Sequence, residues 1–159
     1  MTKACISSPI GAILIDCDGT QLCSIRIVAD EEVVPAAYRH PLAGSPAAEA
    51  ARQLDAYFYN SFNAFCLPLA PAASPRGEKL RAAIVAIPAG ETLSYGALAR
   101  LTQSSPRAIG QACARNRFPI IIPCHRVVGS GGGIGHYSAG KGIITKTWLL
   151  DHERRGGLL

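Results

Sequence analysis

No apolar run in this 159-residue chain approaches the ~20 residues that cross a membrane. Ile10 to Ile15 is the longest early run, and Asp16 and Asp18 end it. No charged n-region followed by an apolar h-region opens the chain, so no signal peptide is expected and the expected compartment is the cytoplasm. The six cysteines contain no Cys-x-x-Cys pair. Without an export signal, that argues against a disulfide framework. A zinc site would have to borrow Cys5, Cys17, Cys23 and a histidine, at spacings that fit no standard pattern. Small buried thiols are the plain reading of most of them. Residues 135–141 read Gly-x-x-x-x-Gly-Lys, but Gly142 stands where a phosphate loop needs Ser or Thr. No buried strand leads directly into that stretch, so nucleotide binding is not expected.

Acidic residues are scarce in the second half. Residues 75–159 hold four Asp/Glu against twelve Lys/Arg, a net of +8, while residues 1–74 hold seven against four, a net of −3. A basic half joined to an acidic half points to a polyanionic partner, unless the arginines merely solvate a surface. The length allows one domain or two small ones, and 48% hydrophobic residues are ample for a core. "LPLAPAASPRG", residues 67–77, has neither a helical nor a strand period and reads as a boundary.

Before that boundary, "GAILIDCDGTQLCSIRIV" predicts two strands around a turn at Asp18-Gly19. "SPAAEAARQLDAYFYN" predicts a helix capped by Ser45, with Pro46 in its first turn and Ala50, Leu54 and Phe58 on one face. The first domain is therefore expected to be α+β. After the boundary, helices are predicted over 78–87, from Ser94 through "SYGALARLTQ", and from Ser105 through "SPRAIGQACARN". In the second of these Leu98 and Leu101 are the apolar positions. In the third, Pro106 takes the first helical position. Two short helices joined by a tight turn form a helix-turn-helix candidate. The third helix carries small residues, Ala108, Gly110, Ala112 and Ala114, which suit close approach to a duplex or tight packing inside the protein.

The chemistry-bearing stretch is "IIIPCHRVVGSGGGIG", residues 120–135. Ile120 to Ile122 predicts a short buried strand, which Pro123 ends. A free thiol, pKa ~8.5, is only a few per cent thiolate at neutral pH, so Cys124 needs a nearby base to be a nucleophile. His125 could be that base if a carboxylate orients its ring. Glu78, Glu91, Asp151 and Glu153 are the candidates in this half. The glycine run after it suits a hairpin or lid over the pair.

"IPCHRVV" with its glycine loop, "YSAGKGIITKTWLLDHE", and "SYGALA…SPRAIGQACARNRFP" resemble the O6-alkylguanine-DNA alkyltransferases, the methylated-DNA–protein-cysteine methyltransferases. "SSPIGAILIDCDGTQLCSI" and "QLDAYFYNSFNAFCLPL" resemble the N-terminal domain of the same family, so the likeness covers nearly the whole chain. It implies an α+β protein. A small ribonuclease-H-like domain over 1–73 would precede a mostly helical, winged-helix-like DNA-binding domain with a helix-turn-helix over 77–159. It implies a monomer, no membrane and no cofactor. It also implies a partner, double-stranded DNA containing alkylated guanine, whose alkyl group passes once and irreversibly to Cys124.

The resemblance also assigns residues. His125 would remove the Cys124 proton through a water, Glu153 would orient His125, and Asn116 would link the recognition helix to the active-site turn. Arg107 would enter the duplex where the base has left, and Tyr95 would help rotate the nucleotide out. Val127 would contact the guanine amino group through its backbone. Tyr137 and Ser138 would line the base pocket. Ala108, Gly110 and Ala112 would face the DNA. An extrahelical base suits the chemistry, because O6 cannot be reached inside the stack. A long, planar cation suits the gap it leaves. Small residues suit a helix that meets phosphate and sugar in the minor groove without reading bases.

There are departures from the family pattern. Pro75 and Arg81 stand where it carries large apolar residues, which predicts weaker packing of that helix. His136 replaces a smaller residue or asparagine, and residues are added between Ser138 and Lys146. The zinc ligands of some relatives are absent, so no metal is expected. The resemblance leaves open whether O4-alkylthymine or bulky adducts are accepted as well. Two rival classes are a binding module without chemistry, which would not keep Cys124, and a turnover thiol hydrolase, which would not need Arg107.

Overall fold

A computed structural model describes residues 1–29 and 32–157. Three antiparallel strands, β1 (Thr2–Ile6), β2 (Ala12–Cys17) and β3 (Leu22–Val28), form a meander in the order β1-β2-β3. The expected β2–β3 hairpin is present. Asp18 builds its turn, its carboxylate accepting from Thr20 N at 2.7 Å and Gln21 N at 2.9 Å. β1 escaped the sequence reading. It pairs with β2 from Thr2↔Cys17 to Ile6↔Ile13, yet in Thr-Lys-Ala-Cys-Ile only Ala4 is buried.

Helix α1 (Pro46–Tyr59) packs on β2 and begins as predicted, with Ser45 Oγ accepting from Ala48 N at 3.1 Å. It buries Ala47, Ala50, Leu54, Tyr57 and Phe58 against Ile13, Ile15, Cys17, Ile25 and Ile27 of the sheet. Helix α2 (Pro75–Val85) starts three residues before the expected Glu78. Ser74 is its cap, and Pro75 sits where a missing N–H costs nothing. Pro75 is thus a helix starter and does not weaken the packing. Arg81 is accommodated too: its guanidinium donates to Ala70 O at 2.9 Å and lies 5.5 Å from the Phe118 ring centroid.

Strand β4 (Leu93–Ser94) leads into α3 (Tyr95–Thr102), and α4 (Pro106–Ala114) follows. Ser94 and Ser105 cap the two helices through Ala97 N and Ala108 N. Gln103, in left-handed geometry at φ 54°, closes α3. Leu98 is buried, but Leu101 is 71% exposed, so only one of the two apolar positions faces the core.

The largest departure from expectation is at Ile120 to Ile122. They are buried as predicted but form turns, not a strand. No strand among the described residues pairs with them, and Ile120 takes φ 74°, rare for a β-branched residue. Burial between Pro119 and Pro123 has overridden β propensity. A turn of 3-10 helix, Cys124–Arg126, follows, then β5 (Val127–Val128). β5 pairs in parallel with β4, Leu93↔Val127 and Ser94↔Val128, and so fastens the Cys-His-Arg turn beside the start of α3. Helix α5 (Ile143–Arg155) closes the chain and reaches back to α1, with His152 Nε2 3.0 Å from Tyr57 O.

Candidate functional site

The last turn of α4, the Cys-His-Arg turn and α5 converge on Cys124, which is 7% exposed. Just past the end of α4, Asn116 spans the gap. Its Nδ2 donates to Ile122 O at 2.8 Å and reaches Cys124 Sγ at 3.1 Å, while its Oδ1 accepts from Phe118 N at 2.9 Å. All three bonds fix the approach to the thiol.

His125 is fully buried, and its Nε2 lies 2.7 Å from Glu153 Oε2. The ionised carboxylate is an acceptor only, so Nε2 carries the proton and Nδ1 keeps the lone pair of a base. Nδ1 has no hydrogen-bond partner among the described residues, so the ring does not bond the thiol directly. Burial, reinforced by the charges of Arg126 and Lys146, outweighs Glu153 and lowers the His125 pKa.

Of the four candidate carboxylates, Glu153 is the one at the site. It does more than orient His125. Arg126 Nε and Nη2 grip it at 2.8 and 3.0 Å, and Tyr57 Oη donates to Oε2 at 2.7 Å. Burial pushes the Glu153 carboxyl up, but bonds from His125 and Arg126 more than reverse that and hold it well below the usual carboxylate range. Arg126 also donates to Ile87 O at 2.6 Å. The Cys124 thiol is lowered to about 7: a hydrogen bond from Cys113 is the largest cause, and Asn116 and the charge of Lys146 add to it against burial.

The structure gathers Tyr95, Val127 and Tyr137 around the same turn. Val127 is fully buried, and its carbonyl accepts from Lys146 Nζ at 2.7 Å. Lys146 also donates to His136 O at 3.1 Å and lies 5.9 Å from the Tyr95 ring centroid, which ties the glycine loop to α3. Gly135, at φ 81°, lets that loop lie against Tyr95; a Cβ there would come within 3.1 Å of the ring and 3.3 Å of Lys146 Nζ. Tyr137 is buried, and its hydroxyl has no partner among the described residues, whereas Ser138 is exposed.

Arg107, Ala108 and Ala112 lie apart from the thiol. They line a groove of about 690 Å³ between α2 and α4, together with Arg76, Arg81, Arg115 and Arg117. Asn116 and Ile122 form its wall toward Cys124. Gly110, partly exposed on α4, is not among the groove residues. Among the described residues, no group of three His, Cys, Asp or Glu side chains is placed to hold a metal.

Sequence reasoning missed Tyr57, Arg126 and Lys146. Lys146 had a signal. With Leu149, Leu150 and Glu153 it follows the i, i+3, i+4, i+7 pattern, so two charges occupy the buried stripe of α5. Tyr57 had little, since its partner is 96 residues away. Tyr57→Phe removes a hydrogen bond to a buried charge and is expected to cost about 1.5–3 kcal/mol. Urea unfolding with an unchanged slope checks this. A loss under ~0.5 kcal/mol, the range of a neutral surface change, would show that the bond contributes little.

The profile of the 6-O-methylguanine DNA methyltransferase DNA-binding domain matches residues 76–155, and that of the ribonuclease-like domain matches residues 1–71. The methylated-DNA–protein-cysteine methyltransferase of Mycobacterium leprae is 34% identical over 94% of this chain and 90% of its own. That of Methanosarcina acetivorans is 34% identical over 96% and 98%. Among solved structures, the Mycobacterium tuberculosis O6-methylguanine methyltransferase superposes with a TM-score of 0.79 at 30% identity, covering 98% of this chain and 94% of that one. The M. tuberculosis OGT, solved in complex with DNA, gives a TM-score of 0.82 at 31% identity, over 99% and 95%. Two matching domains in the same order, relatives alike over their full length and a fold shared end to end place this chain in the 6-O-methylguanine DNA methyltransferase family.

Proposed function

We propose that this chain repairs DNA by moving an alkyl group from O6 of guanine in a duplex to Sγ of Cys124. The observation that carries the reading is the thiol itself. It is buried, lowered toward neutrality, and held by Asn116 next to a histidine that is kept neutral and carboxylate-bound. In the reaction the sulfur's lone pair forms a bond to the alkyl carbon as the carbon–O6 bond breaks. The guanine leaves with the electron pair and takes up a proton. His125 Nδ1 accepts the thiol proton through a water, and Glu153 stabilises the imidazolium that results. The product is a thioether with no hydrolytic exit, so each chain reacts once.

The finer architecture belongs to the same proposal. Residues 1–73 form the ribonuclease-H-like domain, and residues 77–159 form the winged-helix-like DNA-binding domain. In the latter, α3 and α4 act as a helix-turn-helix, with α4 laid in the minor groove by Ala108, Gly110 and Ala112. The target nucleotide is flipped into the space bounded by Tyr95, Val127, Tyr137 and the loop at Ser138. Arg107, exposed in the first turn of α4, fills the gap.

The test compares Arg107→Ala with wild type on two substrates, a methylated duplex and free benzylguanine. Extruding a base costs a few kcal/mol, and the inserted arginine offsets part of that. The expected outcome is a loss of about tenfold or more on the duplex, equal to ~1.4 kcal/mol, with little change on benzylguanine. Equal losses would make Arg107 a shaper of the active site. No loss on either would remove it from the mechanism. A wild-type protein that takes no methyl from the duplex would overturn the function itself.

A further inference from the structure

Three donors share one oxygen of Glu153. Its Oε2 is met by Tyr57 Oη at 2.7 Å, His125 Nε2 at 2.7 Å and Arg126 Nη2 at 3.0 Å. Oε1 accepts from Arg126 Nε at 2.8 Å. His125 is the base and Arg126 the counter-charge, but the proposed reaction gives the Tyr57 hydroxyl no task. It comes from α1, in the half of the chain that matches the ribonuclease-like domain.

That hydroxyl has one direction. Tyr57 is fully buried, with the rings of Phe58, Phe65 and His152 at centroid distances of 5.3, 5.6 and 5.1 Å. Burial and the charge of Glu153 raise the phenol well above its usual range, so it stays protonated and donates. The carboxylate does not need it for orientation, because the paired bonds from Arg126 already set its plane. What the hydroxyl changes is charge. A hydrogen bond donated to Oε2 draws density from the atom that would stabilise an imidazolium through Nε2. Other charged and titratable groups surround the ring. Glu153 and Lys146 come from α5, Arg126 and Cys124 from the ring's own turn, and Tyr137 from the loop after the glycines.

We propose that Tyr57 is a positioning residue for the base: by donating to the oxygen that His125 uses, it spreads the charge of Glu153 and leaves His125 Nδ1 unprotonated to receive the thiol proton. The inference rests on His125 acting as the base for Cys124. It gives α1 a part in the chemistry, through one hydroxyl that never approaches the substrate.

The experiment follows the ring protons of His125 by NMR against pH in wild type, in Tyr57→Phe and in a protein with 3-fluorotyrosine in place of Tyr57 alone. The His125 signal is the one lost in His125→Asn. Tyr57→Phe removes the donor and is expected to raise the His125 midpoint by about half a pH unit or more, roughly a threefold gain in proton affinity. Fluorine beside the hydroxyl makes it a stronger donor, so 3-fluorotyrosine is expected to move the midpoint down. A hydroxyl that only holds the fold together would weaken the protein without moving the midpoint in either direction. If Tyr57→Phe fails to fold, the fluorinated protein carries the comparison, because it keeps the bond. A midpoint in Tyr57→Phe at or below that of wild type, a ring that stays neutral in it until it unfolds, or no downward shift with 3-fluorotyrosine overturns the proposal. The titration needs no DNA. An error in the acceptor assignment would therefore appear separately, as a methylated duplex that adds no mass to Cys124 in wild type.

Discussion

Excess duplex bearing O6-methylguanine loses one methyl group per chain and no more, and the mass gained maps to Cys124. Cys124→Ala loses the reaction completely while still binding DNA. The expectation follows from what the site holds. A thiol lowered to about 7 is about half thiolate at neutral pH, against about 3% for a free thiol, a ~15-fold advantage before any positioning. No neighbour replaces it. Cys113 is pushed up by its interaction with Cys124 and by burial, and Cys5 is pushed up by burial. The transfer rate should rise with pH through about 7 and then level off, because the thiolate is the reacting form and its population saturates there. Counting repaired guanines against protein distinguishes this from a thiol hydrolase. Turnover beyond one equivalent, or residual transfer in Cys124→Ala, would sink the single-acceptor reading. DNA binding by Cys124→Ala should weaken steeply with added salt, since the basic half displaces counterions from phosphate.

Much of this site was legible in the sequence because its parts are short-range signals. Ser45, Ser94 and Ser105 announced three helix starts, two of them followed directly by proline. The Cys-His pair lies directly after a proline that ends the preceding run and before a glycine run, and that placement is visible in the sequence. What the sequence hid was the partnership between distant elements. Tyr57 of α1 and Glu153 of α5 meet only because the α1 face that buries Leu54 also faces α5. Ile120 to Ile122 misled for the opposite reason. Three β-branched residues promise a strand, but a strand needs a pairing edge, and here the run is buried as turns. Ser74-Pro75 carried a start signal as good as Ser45-Pro46. The family's apolar pattern masks that signal, because Pro75 stands where the pattern carries a large apolar residue, and the helix begins three residues before Glu78.

Glu153→Gln is expected to destabilise the fold by about 3–5 kcal/mol as well as slow alkyl transfer. The carboxylate, 1% exposed, takes bonds from two Arg126 nitrogens, from His125 and from Tyr57. An amide of the same shape offers one oxygen and turns an NH2 toward donors. The Arg126 charge, 8% exposed, is then left buried without its counter-charge, which is the costly way to break a buried pair. Measured against a typical total of about 5–15 kcal/mol, that loss is easily seen in urea unfolding.

The pH dependence gives an independent check. Glu153's folded pKa is depressed, so its contribution is present above the unfolded value of about 4.3 and drains away as pH falls below it. His125 is also lowered in the fold, so the unfolded chain takes up its proton first. Stability begins to decline below about pH 6.5 for that reason as well. Wild type should therefore lose stability in two stages on acidification, and Glu153→Gln should keep only the first. Transfer to benzylguanine, measured well below the unfolding midpoint, isolates the chemical role from the structural one. A variant of wild-type stability and rate would show that the buried carboxylate supports neither the fold nor the base. A variant that is unstable but reacts at the wild-type rate would leave Glu153 as the anchor of Arg126 and Tyr57 alone, and His125 would need another source of its orientation.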